Sequence, residues 1–340
     1  MEIKRYAQWS ALLSGHKDNE QPIASQPAVP FSLTLLPYSR WLVVGALTEW
    51  LISRTLTRAA IHIPKTPALI TGYQLLNTVG QVAAAFVTLL AVFILVWLAW
   101  YEWQHKGERL RPVLLIGRVT LSLVFLFIIP SNESLLLHHL LTLTLLASFT
   151  LSYLQTHPSP PVSNRLVYLS VVATLGSGVI YQMMPVWYAV LHLPGPAPLT
   201  GLLFNLGEGL VVFSLIALWW VHGRAAAWHT WFIALLPTAF FALLYGRDPA
   251  MTGILVIWST GLSFYLPWML YAAALCLAIV TFLTCWRKNP PVAVALALLA
   301  AAGYAPQMSS QLFCALIALW WLARPQTTPS HSSPQSQSIL

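Results

Sequence analysis

Runs of about 20 apolar residues, separated by short polar connections, recur along almost the whole of this 340-residue chain. A helix of that length crosses the hydrocarbon core of a bilayer, so each run predicts a membrane span. The first covers about Leu33 to Ile52, interrupted by Arg40 and Glu49, and the second about Gln74 to Trp100. The clustered Trp and Tyr that close the second mark a membrane–water interface. The third, "PVLLIGRVTLSLVFLFIIP", and the fourth, "SLLLHHLLTLTLLASFTLSYL", are joined only by "SNE". So short a link predicts a tight antiparallel pair.

After the polar loop "QTHPSPPVSNR", a fifth span runs from Leu166 to about Leu191, and "HLPGPAP" ends it with Pro and Gly. A sixth covers Thr200 to Val221 and a seventh Trp228 to Tyr245. Two later apolar blocks, 250–286 and 291–323, are too long for single spans, and Pro267 and Pro306 are their natural breaks. Each reads as two short helices or as a half-length piece with a full span. The fold class expected is all-α, a polytopic transmembrane bundle of about nine to eleven helices. It occupies 31–324, between a polar N-terminal tail (1–30) and a C-terminal tail (325–340) whose Ser, Pro and Gln predict disorder.

Composition agrees. Hydrophobic residues make up 58% of the chain and charged ones 8%, against about 25% charged in soluble domains. The mean hydropathy is +0.70. The net charge of +8 lies in short connections rather than in a basic patch with interleaved aromatics, which argues against a nucleic-acid partner. With the N-terminus inside, Lys4, Arg5, Lys17, Lys106, Arg109, Arg111, Arg165 and Arg224 fall on inner segments, and Arg54, Arg58, Lys65 and Arg247 on outer ones. The excess favours a cytoplasmic N-terminus. No signal peptide opens the chain and no organelle-targeting segment is evident, so the plasma membrane is the expected location. The expected partners are the lipid bilayer and membrane-protein subunits.

Cys276, Cys285 and Cys314 form no CxxC or Cys/His metal spacing and read as buried thiols. No Walker A loop, HExxH, G-x-S-x-G or dinucleotide fingerprint occurs, so no enzyme class is indicated and no cofactor is specified. Glu49, Glu102, Glu108, Glu133 and Asp248 read as isolated carboxylates rather than a metal-holding pair.

Polar groups inside a membrane are costly, and each requires a partner or a purpose. Gln74, Asn77 and Gln81 form one stripe at i, i+3, i+7. His138 and His139 open the fourth span, with Thr142 one turn below. Tyr181, Gln182, Met183 and Met184 occupy the end of the fifth, and Pro185 is expected to bend it. Asn205 and Glu208 share a face of the sixth, Glu208 lying between Gly207 and Gly209, small residues that permit close helix approach. In the orientation above, all of these fall in the outer half of the bundle. They predict a polar pocket for a small ligand.

His138 and His139, together with the soft ligands Met183 and Met184, would also suit copper, or one His a haem. Consecutive residues point about 100° apart on a helix, so only one His is expected to face the bundle centre. The stretch "GSGVIYQMMPVW" (176–187) resembles helices of membrane proteins related to the haem–copper oxidase core, without the His ligands of that family. Arg118, in the third span, is expected to snorkel toward the inner interface. Three functional classes therefore stand open: a ligand-binding or structural membrane protein, a proton- or ion-coupled transporter using Glu208, and a haem or copper redox protein.

Overall fold

The computed structural model describes residues 31–62, 66–105, 109–125, 131–156, 162–192, 197–245, 268–304 and 309–324. Both predicted tails, 1–30 and 325–340, lie outside these residues, as does the first half of the block 250–286. Among the described residues the chain is helical, without a strand. Ten α-helices follow one another: α1 Phe31–His62, α2 Pro67–His105, α3 Leu110–Val124, α4 Asn132–Thr156, α5 Val162–Leu191, α6 Ala197–Leu218, α7 Trp228–Tyr245, α8 Trp268–Lys288, α9 Pro290–Ala302 and α10 Ser309–Leu322. Three of them, α2, α4 and α5, are long and apolar enough to cross a membrane. The chain divides into two compact units, Met1–Pro37 and Tyr38–Leu340, and the packing below is that of the second.

Several boundaries differ from expectation. Helix α5 starts at Val162, so the polar residues "VSNR" lie in its first turn rather than in the preceding loop. Side chains at a helix entrance still reach water, and their polarity does not oppose the helix. Pro185 leaves α5 a single 30-residue helix. Helix α3 ends at Val124, short of the predicted Pro130, and the Phe125 N–H donates to the Leu121 carbonyl. Helix α2, with 39 residues, is about 58 Å long at 1.5 Å per residue, beyond the roughly 40–45 Å of a whole bilayer. Its opening part, 66–79, is exposed throughout.

The block 291–323 resolves into two short helices. Pro290 and Pro291 begin α9, where a missing N–H costs nothing. Gly303, at φ 76°, ends it in a conformation that L side chains rarely adopt. The break therefore starts ahead of Pro306, which lies outside the described residues. At roughly 20 Å each, α9 and α10 are half-length, apolar all round and almost wholly buried. They pack on each other, and α10 also touches α2, α4 and α5. Around them α5 packs between α4 and α6, α3 against α2 and α4, and α8 against α6, α7 and α9.

Among the described residues, hydroxyls on the packed faces make polar contacts between helices. The Trp321 Nε1–H donates to Ser39 Oγ at 3.0 Å, joining α10 to α1. Thr174 and Ser214 pair at 3.1 Å between α5 and α6. Helix α6 passes into a π-helical turn, Trp219–Gly223, that sits on α8. A Cβ on Gly223 would come within 2.7 Å of Thr281 Oγ1, so only glycine admits that approach.

The clearest electrostatic contact joins α2 and α3. Arg111 Nε and Nη2 donate to Glu102 Oε2 and Oε1, each at 2.6 Å, and both residues are buried. Glu102 is thus not an isolated carboxylate, and Arg111 is not a loop cation. Nine positions apart in sequence, they meet because α3 folds back along α2 and shields both from solvent.

Candidate functional site

Arg118 lies two turns beyond Arg111 on α3 and is more deeply buried still, at 2% exposure. It does not snorkel. Its side chain is held by three residues: Ser122, four positions on along α3, and His138 and Thr142, themselves at i, i+4 spacing on α4. Nε donates to Thr142 Oγ1 at 3.1 Å, Nη1 to Ser122 Oγ, and Nη2 to His138 Nε2.

The proton positions follow from the chemistry. Ser122 Oγ donates to the Arg118 carbonyl at 2.9 Å and Thr142 Oγ1 to the His138 carbonyl at 2.8 Å. Each hydroxyl proton is thereby used, and only lone pairs remain for the guanidinium. Guanidinium has no acceptor, so His138 Nε2 must accept, and the neutral ring then carries its proton on Nδ1. That Nδ1 is buried and has no hydrogen-bond partner among the described residues. Phe125 stacks on the His138 ring at 5.2 Å, fixing its plane.

Arg118, Ser122, His138 and Thr142 form one side of a cavity of about 700 Å³. Val179, Tyr181, Gln182 and Pro185 of α5 and Thr200 of α6 line another part, and Ala84 and Thr88 of α2 a third. Glu49 of α1 and Ser310, Leu312 and Phe313 of α10 complete it. The start of α4, the second half of α5 and the start of α6 thus contribute to one cavity.

Residue by residue, the agreement is uneven. Tyr181 and Gln182 line the cavity. His138 and His139 both line it, although only one was expected to face inward. The space is wide enough to take both sides of the helix corner, with the two rings edge to face at 5.9 Å. Gln74, Asn77 and Gln81 are exposed and stand off the cavity; the same stripe reaches the wall further along, at Ala84 and Thr88. Met183 is buried and Met184 half-buried, and neither lines the cavity. No group of three or more His, Cys, Asp or Glu side chains suited to a metal lies among the described residues.

Asn205 and Glu208 fall in α6, but their side chains lie outside the described residues. Of the two glycines flanking Glu208, Gly207 is covered by the Tyr304 ring, whose hydroxyl donates to the Leu203 carbonyl at 3.4 Å. Gly209 meets nothing within 4 Å.

The Arg118 constellation escaped the sequence reading. Its signal was present: a cation and a serine one turn apart in an apolar helix, and a His and a threonine one turn apart in the helix joined to it by "SNE". Comparison with protein families, with characterised proteins and with solved structures finds no match to this chain. The short resemblance of "GSGVIYQMMPVW" to oxidase-core helices gains no support from them.

Proposed function

We propose that this chain is a polytopic integral membrane protein that binds a small ligand in the cavity between α2, α3, α4, α5 and α10. The observation that carries the reading is the cavity itself. At about 700 Å³ it lies within the roughly 300–1,000 Å³ typical of small-molecule sites. Its wall is largely apolar with a few polar groups converging from different helices, the usual make-up of such sites. Membrane placement is supported by the three long apolar helices and by large hydrophobics exposed along the helix surfaces, among them Leu89, Trp100, Leu151 and Leu236. In this reading those side chains face lipid, the N-terminus is cytoplasmic, the membrane is the plasma membrane and the cavity lies in its outer half.

Two measurements test it. Alkaline carbonate should leave the chain in the membrane fraction, and extraction into the supernatant would contradict membrane insertion. Native mass spectrometry of the detergent-released protein should show a stoichiometric small-molecule adduct. Ala84→Trp, which fills the cavity wall, should remove it. The same adduct on the variant would place the ligand elsewhere and refute the reading.

A further inference from the structure

Two arginines sit on one helix, seven positions apart and both buried, yet their surroundings differ. Arg111 faces the Glu102 carboxylate through two hydrogen bonds at 2.6 Å. Arg118 faces two hydroxyl oxygens and one imidazole nitrogen, all neutral, with no carboxylate in ion-pair range among the described residues. A buried charge without a counter-ion is unfavourable. Here it borders an open cavity rather than packed side chains.

Arg118 also has donors in reserve. A guanidinium carries five N–H groups, and three are used, one on each nitrogen. One N–H is left on each Nη. Such a pair matches the two oxygens of a carboxylate or phosphate in the fork geometry arginine favours. His138, which accepts from Nη2 through Nε2, turns its Nδ1–H away from this fork, so the fork itself is the anion-holding element. The rest of the wall supplies Leu123, Leu135, Val179, Leu312 and Phe313, surfaces for a hydrocarbon body.

We infer that the ligand is an amphipathic oxyanion, its charged head on the Arg118 fork, which His138 holds in place, and its apolar body along α5 and α10. This rests on the ligand-binding reading above. Glu49 lies on the same cavity but outside ion-pair range of Arg118. It is therefore not the missing counter-ion.

The test is equilibrium binding to the full chain in nanodiscs, using tritiated decanoate, with decanol and decyl phosphate as competitors. Saturable decanoate binding is expected, which decanol fails to displace. Arg118→Gln should weaken it at least about tenfold, as loss of charge-assisted hydrogen bonds does. His138→Asn should weaken it less, and Glu49→Gln should leave it unchanged or tighter, since a like charge is removed. Circular dichroism identifies any variant that fails to fold, and His138→Asn then carries the comparison. Displacement by decyl phosphate at lower concentration than decanoate identifies the head as phosphate within the same oxyanion class. Equal binding of decanol and decanoate, both lost in Ala84→Trp and neither in Arg118→Gln, overturns the inference while leaving the cavity reading intact. No saturable binding of any probe overturns both.

Discussion

Replacing Glu102 by Gln tests the electrostatic reasoning on which the site rests. The carboxylate is 2% exposed and its guanidinium partner 4%, and Phe149 closes over Arg111 with its ring centroid 5.4 Å from the guanidinium carbon. The amide keeps one acceptor oxygen but removes the counter-charge, leaving Arg111 buried and unneutralised. Breaking a buried pair in this way costs about 3–5 kcal/mol. With one hydrogen bond retained, the lower end, about 3 kcal/mol, is expected. Removing both charges together, as Glu102→Leu with Arg111→Met, should return stability to within about 1–2 kcal/mol of wild type, because no buried ion remains. Unfolding in mixed micelles with increasing dodecyl sulfate, followed by Trp fluorescence, measures Glu102→Gln and, as one cycle, wild type, Glu102→Leu, Arg111→Met and their combination. If Glu102→Gln lies within about 0.5 kcal/mol of wild type, or if the double variant loses as much as its two single changes added, a charge buried between α2 and α3 is not costly here. The case for Arg118 would then weaken with it.

Arg118→Met, in the same assay, should be neutral or stabilising, since it removes an unneutralised buried charge while Ser122 and Thr142 keep their bonds to backbone carbonyls; a loss above about 3 kcal/mol would make Arg118 a structural residue. Gly207→Ala should cost about 1–3 kcal/mol by driving a methyl into the Tyr304 ring, whereas Gly209→Ala, with open space around it, should be neutral or slightly stabilising; equal effects would show that α6 does not approach Tyr304 as described. Trp321→Phe should cost about 1–2 kcal/mol through the lost bond to Ser39, read as a lower midpoint in dodecyl sulfate. Metal analysis and an optical spectrum of purified protein should show neither stoichiometric copper nor a haem band, because His138 Nε2 is taken by Arg118 and a cation beside a guanidinium is disfavoured; either signal would instead make the histidines ligands.

The sequence carried the helices where a run of apolar residues was bounded by Pro, Gly or polar clusters. Trp228–Tyr245 begins and ends where its hydrophobicity does. It carried less where one residue type serves two roles. "VSNR" reads as loop by composition, yet it forms the solvated first turn of α5. His138, Tyr181 and Gln182 line one cavity, and alternation of the spans is what placed their helix ends side by side in the sequence. The stripe Gln74, Asn77 and Gln81 stands off the cavity because α2 begins at Pro67, seven residues before Gln74, and its opening turns lie beyond the packed region. Arg118 was the hardest to place. Snorkelling and burial are both open to an arginine in an apolar helix, and only the three partners brought by α3 and α4 decide between them. Glu102 and Arg111 could not be joined from sequence, since nothing in it says which faces α2 and α3 turn to each other.

The most direct test is crystal diffraction of the protein with 10-bromodecanoate, recorded at the bromine absorption edge. The account places the carboxylate within hydrogen-bonding distance, about 3 Å, of both Arg118 Nη atoms, and the bromine signal among Leu312, Phe313 and Val179. A bromine peak beside Arg118, or none within the cavity, would contradict it.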